Sequence, residues 1–323
     1  MQEKKVHMIR TLDKLSFMGF FEVFKNISTV ISNLNIVKKD LKLKNPDCVI
    51  LIDYPGFNFK VAKYANKLKI PVFWFIAPQT WAWNESRVTL IKKYIKQLYV
   101  ILPFEKKYFR SKNVDSKYFG HPLVEIIQDQ PDSYSERKKI IALFPGSRKQ
   151  EIRMMLPTML KVISYFRDYE FIIGGAKNID IDFYKKIIKS YNVKLVFNQN
   201  YNLMKLASAA LVTSGTVTLE LAIYKVPQVV CYKTSFLSFL IAKKVIKTKY
   251  ISLVNIILKK QLVDELIQNN FTVENIIMSL EKSLNKNNIK KTVHAYNELI
   301  STLDNYPVFD NVAKNIVSFF RKV

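Results

Sequence analysis

The chain has 323 residues, 49% of them hydrophobic and 24% charged, which supplies enough apolar material for two α/β domains and excludes a disordered chain. Its formal net charge of +25 favours anionic partners without choosing among nucleic acid, acidic lipid headgroups and phosphorylated substrates, although no RNA-binding aromatic signature or arginine-rich arm stands out. The histidines (His7, His121, His294) and cysteines (Cys48, Cys231) lack metal-ligand spacing, which argues against a protein-held zinc site, and both cysteines fall in apolar runs expected in the core without a disulfide.

Taken in order, residues 12–44 carry apolar positions at roughly helical spacing, and Phe17, Met18, Phe20, Phe21, Val23 and Phe24 make the first part apolar on too many sides for an ordinary surface helix. It is either a core helix or, with Lys14, Lys25, Lys38 and Lys39 nearby, one that dips into anionic headgroups. Cys48–Asp53 reads as a strand apolar on both faces, hence a central parallel strand, with Asp53 at its carboxyl end, where ligands of α/β sheets bind. A turn-stabilising or helix-capping role for Asp53 is the alternative. Pro71–Ile76 is the next strand, and the loop that follows holds Trp81 and Trp83, which line either a core edge or a ligand cleft. Leu98–Leu102 is a further strand, Pro103 opens a helix, and His121 lies on a loop before Asp129–Ser133, a polar linker that divides the chain into domains 1–132 and 133–323.

The second half alternates strands 139–144, 170–174, 193–197, 209–213 and 228–232 with helices 148–168, 179–191, 202–208 and 216–224, the pattern of a second parallel sheet covered on both faces. Ser235–Ile246 is rich in Phe and Leu and trailed by Lys243, Lys244, Lys247 and Lys249; residues 261–323 read as helical, with the last helix packing back on the first domain. No apolar run approaches the roughly 18 residues of a membrane span, and no signal peptide is evident.

Two strand–turn–helix stretches stand out. After Leu211-Val212-Thr213 come Ser214, Gly215, Thr216 and Thr218, then Glu220 in the first helical turn; the hydroxyls and backbone N–H groups suit a diphosphate, and the carboxylate suits sugar hydroxyls, although an ordinary capped helix has the same sequence. Ile140–Phe144 runs likewise into Pro145, Gly146, Ser147 and Arg148. Two such units fit one nucleotide site at neighbouring strand ends.

Together with Ile52-Asp53-Tyr54-Pro55, Phe57-Asn58, Ala77–Trp83, Leu102–Glu105, Gly120-His121-Pro122 and Tyr250–Asn255, these motifs closely resemble, in order and spacing, the lipid-A-disaccharide synthases, inverting glycosyltransferases of Gram-negative outer-membrane biogenesis. The resemblance implies two Rossmann-like domains of the glycosyltransferase B type, with the acceptor on the first, the sugar nucleotide on the second and the reaction in the cleft between them. It implies Asp53 as general base, and Arg148, Asn255 and Ser214–Glu220 on the nucleotide side. Phe17, Met18, Phe20, Phe21 and Phe24, with Trp81, Trp83 and His121, are implied acceptor or membrane contacts. The implied substrates are UDP-2,3-diacylglucosamine and 2,3-diacylglucosamine 1-phosphate (lipid X), with no cofactor or metal, no nucleic acid, and a peripheral place on the cytoplasmic face of the inner membrane. Family members carry a further strand and a Gly/Ser-rich acidic loop ahead of the point where Met1 stands, so the first domain is expected to lack its central strand. Gly56 stands where the family often has a second aspartate. Two alternatives are another UDP-sugar enzyme of the same fold, an epimerase or a soluble-acceptor transferase, and an inactive copy that only binds a membrane surface.

Overall fold

The computed structural model describes residues 27–127, 137–189, 191–303 and 307–321. The chain divides into two compact units. One comprises the residues up to Ile101 with Glu105–Phe119 and the stretch from Asn311; the other comprises Leu102–Phe104 and Gly120–Asp310.

In the first unit, α1 (Ile27–Lys44) precedes four strands that alternate with helices: β1 (Val49–Ile52), α2 (Pro55–Lys67), β2 (Val72–Phe75), α3 (Arg87–Tyr94), β3 (Gln97–Val100), α4 (Pro103–Ser111) and β4 (Ser116–Tyr118). The strands form one parallel sheet in the order β1-β2-β3-β4. Parallel pairing demands a crossover for each connection, and the helices supply it. Trp74, Leu98, Val100, Ala62, Ile91 and Phe109 are buried in this unit's core. The expectation of a central strand at Cys48–Asp53 is corrected: among the described residues β1 pairs only with β2, and Ile50 and Ile52 are about half exposed. An apolar run records burial on both faces in many sheets, but it does not encode what lies beyond the strand's second edge. The chain's last stretch also belongs to this unit: Tyr99 Oη donates to Asn315 Oδ1 at 2.9 Å, and Phe73 meets Phe319 edge-on at 5.2 Å.

The second unit runs α5 (Pro122–Ile126), β5 (Lys138–Phe144), α6 (Lys149–Leu160), β6 (Glu170–Gly175), α7 (Ile181–Ile188), β7 (Lys194–Phe197), α8 (Asn200–Leu206), β8 (Ala207–Thr213), α9 (Val217–Ile223), β9 (Gln228–Tyr232), α10 (Phe236–Val245), α11 (Leu253–Leu258), β10 (Asp264–Ile267), α12 (Val273–Leu284) and α13 (Lys286–Leu303); α14 (Val308–Ser318) follows. Its six strands are all parallel, in the order β10-β9-β8-β5-β6-β7. Alternation along the strands builds a core on each face. Ile141, Leu143, Ala209, Leu211, Val229 and Cys231 pack to one side, and Ile140, Ala142, Phe144, Ala210, Val212 and Val230 to the other. Within 261–303 the expected all-helical reading is corrected by β10, which pairs with β9. Its sequence Asp-Glu-Leu-Ile has too few apolar residues to announce a strand, and its place comes from the tertiary pairing.

The strand order fixes where this unit can hold a ligand. The chain leaves β5 toward β6 and β7 on one side, then returns at β8 and proceeds toward β9 and β10 on the other. The switch point therefore lies between β5 and β8, above the register pair Phe144–Val212, and both anion-friendly turns begin there.

Candidate functional site

At the end of β5, Gly146 has φ +119°, and a Cβ there would come within 2.6 Å of the Glu151 carboxylate, so the turn requires glycine. Glu151, in the first turn of α6, accepts from the Ser147 N–H (3.0 Å, Oε2) and from Arg148 Nη1 (2.9 Å, Oε1). It thereby closes the turn ahead of the helix and holds the guanidinium there. Tyr232, at the end of β9, sits in the field of both charges.

At the end of β8, Ser214 Oγ donates to the Ile251 carbonyl at 2.7 Å, while Gly215 and Thr216 are exposed. Nothing lies within 4 Å of where a Gly215 Cβ would be. The N–H groups of Gly215, Thr216 and Val217 have no partner among the described residues, whereas those of Thr218, Leu219 and Glu220 are already bonded to Gly215 and Thr216 carbonyls. Two residues expected on the nucleotide side also make contacts within the protein. Thr218 is fully buried and its hydroxyl donates back to the Gly215 carbonyl at 2.8 Å, which shapes the turn. Desolvation by its surroundings raises the Glu220 carboxyl above its ordinary range, while the Tyr201 hydroxyl pulls it down.

Asn255, also expected on the nucleotide side, positions the neighbouring loop. Its side chain is fully buried, donating to the Val263 carbonyl and Glu265 Oε1, both at 2.8 Å, and accepting the Leu262 and Val263 N–H groups at 2.8 and 3.0 Å. Glu265, on β10, is the hub that sequence reasoning missed. Its Oε1 accepts from the Ser252 N–H, the Ser252 hydroxyl and Asn255 Nδ2, and its Oε2 accepts from the Ile251 N–H at 2.9 Å. Through the Ile251 carbonyl this network reaches Ser214, so β10 tethers the loop that braces the second anion turn. Replacing Glu265 by Gln turns an acceptor into a donor facing these N–H groups. An unmet buried group costs roughly 1–3 kcal/mol, and that loss of stability is expected in urea unfolding.

In the first unit, Asp53 closes β1 and is exposed. Asp53 and Tyr54 both adopt left-handed backbone, at φ 45° and 46°, a conformation that costs non-glycine residues energy and occurs at functional sites. Asn58, one turn into α2, holds this geometry by donating Nδ2 to the Ile52 carbonyl at 3.1 Å and the Asp53 carbonyl at 2.6 Å. Desolvation by its surroundings raises the Asp53 pKa above the ordinary carboxylate value, while the Tyr54 N–H pulls it down. The adjacent strand end carries the tryptophan loop. Trp81 Nε1 donates to the buried Glu105 at 2.9 Å, and Trp83, 39% exposed, stacks under the Arg87 guanidinium at 4.5 Å.

His121, expected as an acceptor or membrane contact, belongs to the second unit. It is only 3% exposed and caps α5, its Nδ1 accepting from the Leu123 N–H at 3.2 Å. Burial lowers its pKa from 6.5 to about 4. The unfolded chain thus binds a proton at higher pH than the folded one, so stability is full above pH 6.5 and falls as pH drops toward 4, by roughly 3 kcal/mol in all. His121→Asn, which keeps a capping acceptor, is expected to remove that slope from urea midpoints measured between these pH values. Phe17, Met18, Phe20, Phe21 and Phe24 lie outside the described residues. Among the described residues no group of His, Cys, Asp and Glu could hold a metal, and no helix is long and apolar enough to cross a membrane.

A family model described as lipid-A-disaccharide synthetase matches residues 1–315. The chain belongs to that family. A lipid-A-disaccharide synthase of Coxiella burnetii (strain CbuG_Q212) is 34% identical over 334 residues, covering 98% of this chain and 87% of the relative. Another, from Syntrophus aciditrophicus, is 35% identical over 294 residues, covering 86% and 77%. Among solved structures, the S. aureus MnaA–UDP co-structure has TM-score 0.64 at 12% identity, covering 92% of this chain and 82% of that one. The UDP-GlcNAc 2-epimerase of Neisseria meningitidis bound to UDP-GlcNAc has TM-score 0.59 at 17% identity, covering 98% and 84%. These likenesses show the glycosyltransferase B type fold; the sequence relatives give the activity class. The synthase family makes this chain a glycosyltransferase of lipid A biosynthesis, and the epimerase alternative is not favoured.

Proposed function

We propose that this synthase-family chain joins UDP-2,3-diacylglucosamine to lipid X, giving lipid A disaccharide 1-phosphate and UDP with inversion at the donor's anomeric carbon. The observation that carries the reading is the pair of anion turns at the switch point of a six-stranded parallel sheet, in a chain of this family. The second unit holds the donor, with the Gly146–Arg148 turn and the exposed N–H groups of Gly215 and Thr216 facing the diphosphate. Arg148 stabilises the charge that grows on departing UDP.

The first unit supplies the base. Asp53, held by Asn58 and open to solvent, takes the proton from the lipid X 6-hydroxyl as that oxygen bonds to the anomeric carbon and the bond to the UDP oxygen breaks. The reaction needs Asp53 ionised, so kcat is expected to fall with acid at a pH above that of an ordinary carboxylate, about 3.9. Both substrates carry acyl chains, and the net charge of +25 supports a peripheral position on the anionic inner face of the inner membrane.

Proton NMR of the product tests the stereochemistry. The α-linked donor is expected to yield a β-linked disaccharide; an α linkage would rule out one direct displacement assisted by Asp53.

A further inference from the structure

The sequence of α10, Phe-Leu-Ser-Phe-Leu-Ile-Ala-Lys-Lys-Val, is apolar around most of its circumference, a composition that soluble proteins bury. Among its described residues Ser238, Leu240, Lys243, Lys244 and Val245 are exposed. Leu240, Val245 and the following Ile246 are 40%, 42% and 43% exposed, and no described side chain of α10 joins either core of the second unit. Isolated exposed apolar side chains are ordinary, but Leu240, Val245 and Ile246 stand among a cluster of lysines at one helix end, which marks an interaction surface.

The charge around it selects the partner. Between Glu220 and Asp264 the chain has eight lysines and no carboxylate. Lys243, Lys244, Lys247 and Lys249 follow the apolar turns directly and are all exposed, and neither Lys243 nor Lys244 has an acidic partner among the described residues. A protein partner for such a face would need apolar and acidic groups in matching register, whereas an anionic bilayer offers acyl chains and phosphate together at every point of its surface. We propose that α10 and the lysines trailing it form a docking surface for an anionic lipid bilayer. The helix leaves the carboxyl end of β9 and its chain continues into the loop bonded to Ser214. Docking there brings the second anion turn to the lipid surface, where an acylated donor resides. The inference deepens the membrane part of the reading above and rests on it for purpose, while its evidence is the exposed apolar residues and the lysines among them.

The test is sedimentation of the full chain with vesicles of equimolar phosphatidylglycerol and phosphatidylethanolamine, and with phosphatidylcholine vesicles. Leu240→Gln/Val245→Gln/Ile246→Gln is expected to lower the partition coefficient on anionic vesicles about tenfold or more. Lys243→Gln/Lys244→Gln is expected to lower it about tenfold on anionic vesicles only and to flatten its salt dependence. UDP affinity, measured by calorimetry, stays at the wild-type value in both and reports the fold. Partition of the triple variant within twofold of wild type overturns the inference. So does a wild-type dimer that the triple variant dissolves while vesicle binding persists, which assigns the face to a second copy. Disaccharide synthesis in detergent is read in parallel: lost partition without any wild-type synthesis leaves the docking surface standing and removes the proposed reaction, and the converse leaves the reaction and removes the surface.

Discussion

Asp53→Asn is expected to lower kcat by roughly 100- to 10,000-fold, the usual worth of general-base help, while the Kd for UDP stays within about twofold of wild type. The substitution is nearly isosteric. Asn58 bonds the carbonyls of Ile52 and Asp53, not the Asp53 carboxylate, so the left-handed turn survives the change. Because partial desolvation by its surroundings already disfavours the charged carboxylate, the neutral amide is expected to leave thermal stability unchanged or raised at neutral pH. A loss of turnover with a lowered melting temperature and weakened UDP binding would instead mark Asp53 as structural, and unaltered turnover would remove it from the chemistry. Steady-state kinetics on acceptor and donor, with calorimetry of UDP, separate the three outcomes.

Arg148→Ala is expected to weaken UDP binding by about 100-fold. A hydrogen bond to a charged group is worth roughly 1.5–3 kcal/mol, or about 10- to 150-fold. The geometry adds a second penalty. Without Arg148 the Glu151 carboxylate remains at the turn, bonded to the Ser147 N–H, and meets the diphosphate uncompensated. The double variant Arg148→Ala/Glu151→Gln is therefore expected to bind UDP more tightly than Arg148→Ala alone. An affinity for UDP unaltered by Arg148→Ala would contradict its placement in the donor site.

Much of the second unit is legible in the sequence because its strands other than β10 are short, mostly apolar runs, and each is followed by a helical pattern. The predicted strand 228–232 coincides with β9, and 139–144 and 209–213 fall within β5 and β8. The position of the two anion turns at the switch point follows from strand order, which sequence alone does not give. What was not legible is which polar groups the protein spends on itself. Thr218 and Asn255 have residue types suited to a nucleotide, yet their hydrogen-bonding groups close local backbone, and His121 is a cap. The converse holds for Glu151, Asn58 and Glu265. Glu151 had a readable signal, a carboxylate three residues after Arg148 in a helical first turn. Asn58 bonds back across the β1–α2 turn, and Glu265 gathers four donors from a loop ten or more residues away, so only the folded chain reveals them.

The most direct test of the proposed reaction is disaccharide formation by the purified chain from UDP-2,3-diacylglucosamine and radiolabelled lipid X in detergent. The expected result is labelled lipid A disaccharide 1-phosphate with one UDP released per molecule formed, and none from the Asp53→Asn variant. Absence of labelled disaccharide from a folded chain that binds UDP would contradict it.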